Sequence, residues 1–313
     1  MNASDTEALN QSSPDEPRQT ALQSNVFDTA LIFEGGGMRN SYTAPVVNEL
    51  LSAGIYFDWV AGISAGSSHL LNYLSRDEKR STTQFIELPA DPRTGGLRSW
   101  VLGDGLFNSD FIYHQVAEPG AELPLDFETF QANPARYAIG SFRVDDGEMV
   151  YFGRDDLTDK ATLISQVQAS SSLPMLMPLV EMDGHTYADG ALGPTGGIAL
   201  DAARHAGFSK FVFVLTRPRE YTKGPWRAER TANAYFRQFP TIAEALTLRP
   251  EKYNSTREEI RDLESAGQAY VFAPNGYTVV NTEKKIDRLT RSFSDGQEQI
   301  RQELPAIKEF LGL

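Results

Sequence analysis

The sequence predicts an α/β domain built on a mostly parallel central sheet, and three apolar runs carry that expectation. Thr29-Ala30-Leu31-Ile32-Phe33-Glu34 and Phe57-Asp58-Trp59-Val60-Ala61 each end in a glycine-rich turn that opens into a helical pattern. Short apolar runs bounded by turn residues fit strands buried on both faces, as parallel strands are. A third run of the same character is Phe211-Val212-Phe213-Val214-Leu215. At 313 residues the chain can bury about three quarters of the surface it exposes unfolded, enough for one large domain over residues 25–313.

Composition narrows the function classes. Hydrophobic residues make up 41% and charged residues 23%, as in globular proteins, and no apolar run approaches the roughly 20 residues of a membrane-spanning helix. Residues 1–24 are polar, set Asp5, Glu7, Asp15 and Glu16 against Arg18, and lack the basic start and apolar stretch of a secretory signal. They read as a disordered tail on a cytoplasmic protein. The absence of Cys removes disulfides, thiolate metal sites and cysteine nucleophiles, so covalent catalysis would need another side chain. A net charge of −13 leaves no broad basic surface for nucleic acid. Residues 217–261 depart from that average, with ten Lys and Arg against six Asp and Glu. The commoner reading of such a segment is a solvated helical face; the other is transient peripheral contact with an anionic membrane.

In chain order, the first strand runs into Gly35-Gly36-Gly37-Met38-Arg39-Asn40, and a helix follows over 42–51, with Pro45 in its first turn and Gly54 as its stop. Three glycines let backbone N–H groups converge without side chains in the way, a geometry for holding an anion or a developing oxyanion. Dinucleotide binding is the alternative, because Gly35-x-Gly37 opens a G-x-G-x-x-G pattern. Asn40 occupies its last position, however, and no acidic residue ends the second strand about 20 residues on. The second strand leads into Gly62-Ile63-Ser64-Ala65-Gly66, a G-x-S-x-G nucleophile elbow, with a helix over 67–74. Gly62 and Gly66 remove Cβ atoms that would collide with neighbouring backbone, which leaves the Ser64 hydroxyl free to project. Alone, the pattern is an ordinary tight βα turn in a chain with 25 Gly. Its weight comes from the company of the first turn, since both fall at the sheet edge where open α/β folds bind ligands.

Further on, residues 76–105 read as a loop and cap region, 137–152 as a hairpin about Asp145-Asp146-Gly147, and 159–169 as a helix. Ser170 to Pro178 follows, with Leu173, Met175, Leu176 and Met177 in a stretch that two prolines keep out of a helix. A tight hairpin, 179–182 with 186–188, then delivers Asp189 to a strand end, Gly190 lets the chain bend away, and a helix spans 196–205. Four other Asp-Gly pairs read as surface turns, and only Asp189 lies between an apolar strand end and a helix. The remaining pattern gives a strand over 268–272 and helices over 254–265, 283–293 and 297–310. Of the four histidines, His69, His185 and His205 are badly placed to assist Ser64, and His114 is the one that could complete a triad.

Glu34-Gly35-Gly36-Gly37-Met38-Arg39, followed about 25 residues later by Gly62-Ile63-Ser64-Ala65-Gly66 and then by Asp189-Gly190-Ala191, resembles the motif set of the patatin-like phospholipases. The likeness covers about 29–218 and extends more loosely through the C-terminal helices. It implies a three-layer sandwich related to the α/β-hydrolases and a catalytic dyad of Ser64 and Asp189 without histidine. It further implies an oxyanion hole from Gly35, Gly36, Gly37, Met38 and Ala65 with Arg39 beside it, a lipid-ester substrate and no cofactor, and it makes Leu173, Met175, Leu176 and Met177 either the border of an acyl channel or, as their pattern equally allows, core residues under a loop. A lone aspartate, with an ordinary pKa of about 3.9, is a weak base for a serine hydroxyl, so such a dyad must lean on desolvation and on oxyanion stabilisation. Asn40 stands where the family has glycine. Two alternatives accompany this expectation: an esterase or thioesterase on soluble acyl esters, and a catalytically silent lipid-binding regulatory protein, for which Asn40 is the one hint.

Overall fold

The computed structural model describes residues 21–96, 106–226 and 234–313. Most of the expected N-terminal tail and the end of the expected cap region lie outside the described residues. Eight strands form one sheet: β1 (Ala30–Phe33), β2 (Trp59–Ile63), β3 (Arg136–Arg143), β4 (Met149–Phe152), β5 (Val180–Met182), β6 (His185–Asp189), β7 (Phe211–Val214) and β8 (Ala269–Phe272). Their order across the sheet is β5-β6-β3-β2-β1-β7-β8, with β4 also paired to β3. Strands β3, β2, β1, β7 and β8 are mutually parallel. The β4 and β5–β6 additions on the β3 side are antiparallel.

Because side chains alternate along a strand, each parallel strand feeds two cores. Leu31, Phe33, Val60, Ile139, Val212 and Val214 face one layer. That layer contains α1 (Ala44–Ser52), α2 (Ala65–Leu74), α5 (Lys160–Ser171) and α8 (Ile286–Leu311). Ala30, Ile32, Ala61, Ile63, Phe211 and Phe213 face the other, made by α6 (Leu200–His205) and α7 (Pro240–Ser265). The result is a three-layer α/β sandwich with a mostly parallel sheet, the fold class the sequence predicts. Every residue of α2 is buried, which marks it as the central helix behind Ser64.

Several boundaries differ from expectation for physical reasons. The segment expected as a loop after residue 76 contains α3 (Glu78–Ile86), started by the Asp77 carboxylate, which accepts from the Arg80 N–H at 2.8 Å. Its buried face includes Arg80, Ser81 and Gln84, so it carries no apolar stripe. A short helix, α4 (Phe127–Ala132), is capped in the same way by Asp126. Helix α6 starts at Leu200 rather than 196 because Gly196 and Gly197 hold φ values of 67° and 124°. The C-terminal helices are longer than expected: α7 runs through Pro250, and α8 is one helix across the Ser294-Asp295-Gly296 sequence that reads as a break. In α8 the buried residues Leu289, Phe293, Gly296, Ile300 and Ile307 continue one helical stripe through the glycine.

Gly296 is where α8 meets the start of α1. A Cβ there would lie 2.0 Å from the Tyr42 carbonyl oxygen. Close by, Tyr42 donates to Gln299 Oε1 at 2.6 Å and Ser41 to Ser292 at 2.9 Å. Gly296→Ala is expected to destabilise the fold by about 2 kcal/mol through overpacking, despite the better helix propensity of Ala. Gly224→Ala, whose Cβ would meet nothing within 4 Å, is the control. Urea midpoints at unchanged m-value measure both, and a Gly296→Ala protein as stable as the control would refute this packing.

Candidate active site

Strand β2 ends at Ile63 and α2 begins at Ala65, which leaves Ser64 to make the whole turn at φ 56° and ψ −132°. A non-glycine residue pays about 1–3 kcal/mol for such backbone and keeps it only where surrounding contacts dictate it. Those contacts are explicit. The Ser64 N–H donates to Ser170 Oγ at 2.9 Å, and that hydroxyl donates onward to the Gly140 carbonyl at 2.6 Å. The Ser64 carbonyl accepts from the Ser67 N–H at 2.8 Å and the Ser67 hydroxyl at 2.6 Å. Helix α2 lies so close to β1 that a Cβ on Gly66 would sit 2.3 Å from the Phe33 carbonyl oxygen, and one on Gly62 would sit 2.3 Å from that of Gly66.

Asp189 reaches Ser64 through the sheet register. Ile63 pairs with Gly140 on β3, and the next β3 residue, Ser141, pairs with Asp189 on β6. Ser64 and Asp189 therefore flank β3 at one height, two strand spacings or about 9.5 Å apart in backbone, a span their side chains can bridge. The Ser64 hydroxyl donates to Asp189 Oδ2 at 2.8 Å, and the Ala191 N–H donates to Oδ1 at 2.8 Å. Gly190 follows because any Cβ there would lie 2.3 Å from the Gly140 carbonyl oxygen. Asp189 is 3% exposed, and burial pushes its pKa up; the positive charge of Arg249 and the bonds from Ala191 and Ser64 oppose that shift without cancelling it.

The glycine turn packs beside them. It is anchored by buried Glu34, which accepts from the Thr216 N–H at 2.6 Å and from the Tyr253 hydroxyl at 2.7 Å. Two of the expected oxyanion donors are already engaged: the Gly35 N–H donates to Gly197 O at 3.1 Å, and the Met38 N–H to Asn281 O at 3.0 Å. The N–H groups of Gly36, Gly37 and Ala65 make no such bond among the described residues. Gly37 stands at φ 55° with Asn281 O only 2.5 Å from where a Cβ would be, so no side chain fits at that step.

These groups open into a cavity of about 270 Å³. One part of its wall is apolar, formed by Phe85, Leu88, Phe107, Ile112, Leu176 and Met177, with Leu173 beside them. Met175, expected in the same wall, instead adopts φ 73° and is 45% exposed. The other part carries Arg39, Arg217, Lys223 and Arg249. Burial, assisted by the neighbouring Arg249, Arg39 and Arg217 charges, pushes the Lys223 pKa down to about 7, and burial with Arg217 nearby lowers Arg39 to about 10. No histidine bonds to either member of the pair among the described residues. His114 pairs with Gln168 Oε1 at 2.7 Å, and buried His69 pairs with Thr43 Oγ1 at 2.9 Å, its pKa pushed down to about 3.

A family model described as patatin-like phospholipase matches residues 31–199, more than half of the chain. The chain belongs to that family. A second model, described as a domain of unknown function (DUF6363), matches residues 239–312, which hold α7, β8 and α8. The uncharacterized protein YjjU of Escherichia coli (strain K12) is 27% identical over 210 residues, 64% of this chain; the match spans 56% of that relative's length. The crystal structure of VipD from Legionella pneumophila aligns with a TM-score of 0.47 at 12% identity, over 89% of this chain and 67% of that one.

Within the patatin-like frame, the departure at Asn40 becomes intelligible. Its side chain is buried under the glycine turn, where Nδ2 donates to Gly37 O at 3.1 Å and Oδ1 accepts from Thr43 Oγ1 at 3.1 Å. It braces the turn rather than blocking it. Sequence reasoning placed Arg39 at the site but passed over three other contributors: Ser170, visible only as part of a serine run; Asn281, in an unpatterned loop; and the cations Arg217, Lys223 and Arg249, which composition assigns to a solvated face.

The Asp189 shift has a signed consequence. A carboxyl whose folded pKa lies above its unfolded 3.8 binds its proton more tightly in the folded state. Stability is therefore greatest with the group protonated and falls as pH rises from 3.8 through the raised value. Asp189→Asn removes that cost and is expected to raise the melting temperature at pH 7, with the gain shrinking as pH falls toward the ordinary carboxylate range. A gain that is absent at pH 7, or that grows on acidification, would contradict the assigned shift.

Proposed function

We propose that this patatin-like protein is a serine acyl hydrolase that cleaves carboxylic ester bonds of lipids through an acyl-enzyme on Ser64. The observation that carries this reading is the 2.8 Å hydrogen bond from the Ser64 hydroxyl to the buried carboxylate of Asp189 at the head of a partly apolar cavity. Burial makes that carboxylate a stronger base than a free aspartate, so it can take the Ser64 proton as Oγ attacks the ester carbonyl. The free N–H groups of Gly36, Gly37 and Ala65 then supply hydrogen bonds to the oxyanion, a contribution that is strongest where water is excluded. Collapse breaks the bond to the leaving alkoxide, which takes the proton from Asp189. Water attacks the acyl-enzyme, gives its proton to Asp189, and the proton returns to Ser64 as the fatty acid leaves.

The apolar wall supports a hydrocarbon acyl chain, whose burial contributes about 0.8 kcal/mol per methylene. Such a substrate is met by transient contact with a membrane surface, and no described helix is long and apolar enough to cross one. Ser64→Ala and Asp189→Asn are each expected to lower kcat/KM on p-nitrophenyl esters by at least about 10³-fold, with the double variant little worse because the pair acts as a unit. His114→Ala should stay within about twofold, since its ring bonds Gln168 and takes no part in the proton transfers. Undiminished turnover by Ser64→Ala would sink the reading.

A further inference from the structure

Four cations on one wall of a catalytic cavity need an explanation in a chain whose net charge is −13. Among the described residues, none of Arg39, Arg217, Lys223 and Arg249 forms an ion pair. Arg39 Nε and Arg249 Nε are buried without any hydrogen-bond partner. The Arg217 guanidinium lies 4.3 Å over the Tyr221 ring and Lys223 Nζ lies 4.7 Å over that of Tyr253, contacts that hold a cation without neutralising it. Desolvated, unpaired like charges cost stability, so they persist where a ligand supplies the missing charge.

The strand order sets where that charge would sit. Arg39 follows β1 and Arg217 follows β7, on one side of β2 and Ser64; Asp189 and the segment bearing Leu173, Leu176 and Met177 come from the β3–β6 side. Around Ser64 the cavity thus receives Arg39 and Arg217 from the β1–β7 side, Arg249 from α7 near enough to Asp189 to oppose the rise of its pKa, and apolar groups from the β3–β6 side and from α3. Of the carboxylates beside the cations, Asp189 is held by Ser64 and Ala191, and Glu34 by Thr216 and Tyr253. At neutral pH three guanidinium charges and a partly charged Lys223, its pKa lowered to about 7, face these two carboxylates, and a bound dianion would draw Lys223 to its charged form. A phosphate monoester carries close to two negative charges at neutral pH, with oxygens that match guanidinium forks, whereas a phosphodiester or a carboxylate carries one.

We infer that Arg39, Arg217, Lys223 and Arg249 form an anion subsite for a phosphomonoester headgroup, which directs this enzyme to acyl esters carrying a terminal phosphate close to the scissile bond. The inference rests on the acyl-hydrolase reading for its second half only. It also gives the segment of unknown function a task, because Arg249 on α7 belongs to it.

The test compares kcat/KM on 1-octanoyl-glycerol, its 3-phosphate and the methyl diester of that phosphate. The proteins are the wild type, Arg217→Gln/Lys223→Gln and the charge-conserving Arg217→Lys, with melting temperatures to verify folding. In parallel, calorimetry measures inorganic phosphate binding to Ser64→Ala protein with and without the two Gln substitutions. The wild type is expected to prefer the monoester over the neutral ester by at least about tenfold, with the diester between. That preference should collapse in the double variant and largely survive in Arg217→Lys, and phosphate binding should vanish with the same Gln pair. Equal turnover of the three esters by wild type overturns the subsite and leaves the hydrolase standing. Phosphate binding that depends on Arg217 and Lys223 without any ester turnover keeps the subsite and removes the hydrolase. Acceleration of the neutral ester by free phosphate, with no preference for the monoester, assigns the site to a free anion and overturns the headgroup.

Discussion

The carbonyl oxygen of Phe33 occupies the space that a side chain at position 66 would need, and this contact fixes most of what lies around Ser64. It seats α2 against the end of β1, so the step from β2 into the helix must be made in one residue with left-handed φ. A looser approach would let Ser64 relax and withdraw its hydroxyl. The same closeness brings the start of α2 beside Gly36 and Gly37, so donors from two turns share one small space. Ser170 locks the arrangement from the far side by bonding both Ser64 and Gly140, and Gly140 is the residue under which Gly190 must bend. The positions of Ser64, Asp189 and the glycine-turn N–H groups are three consequences of one sheet edge packed at backbone contact.

The C-terminal segment completes this edge. Tyr253 on α7 bonds Glu34 at the root of the glycine turn, and Asn281 holds Met38. Gly296 on α8 touches the backbone of Tyr42, where the turn passes into α1. The segment after residue 239 therefore braces the glycine turn beside Ser64, while Arg249 adds charge to the cavity wall. A buried carboxylate beside a cluster of cations is an electrostatic compromise. Burial raises its basicity, as the proposed proton transfer from Ser64 requires, and Arg249 limits how far it rises.

Much of the fold was legible because its strands are continuous apolar runs ending in glycine, a pattern that local sequence dictates. The positions of Ser64, Asp189 and the glycine turn were legible for the same reason, since each sits where a strand stops. What escaped depends on distance. Whether the Met38 N–H is free is decided by Asn281, and the exposure of Met175 by a turn whose neighbours reveal little. The charge of residues 217–261 read as a solvent face because helical periodicity cannot show that Arg217 and Lys223, in the loop after β7, converge with Arg249 on α7. The expected helices begin only after Pro250 and break at Gly296, whereas packing against the sheet and against Tyr42 carries both helices through these residues.

The most direct measurement is intact-mass spectrometry, with peptide mapping, of the wild-type protein treated with an alkyl fluorophosphonate, which labels activated serine nucleophiles in place of an acyl group. An attacking Ser64 with Asp189 as its base predicts a single adduct on Ser64, formed far more slowly in Asp189→Asn protein and unchanged in rate in His114→Ala. Labelling at another serine, or labelling of Ser64 at the same rate without the Asp189 carboxylate, would contradict it.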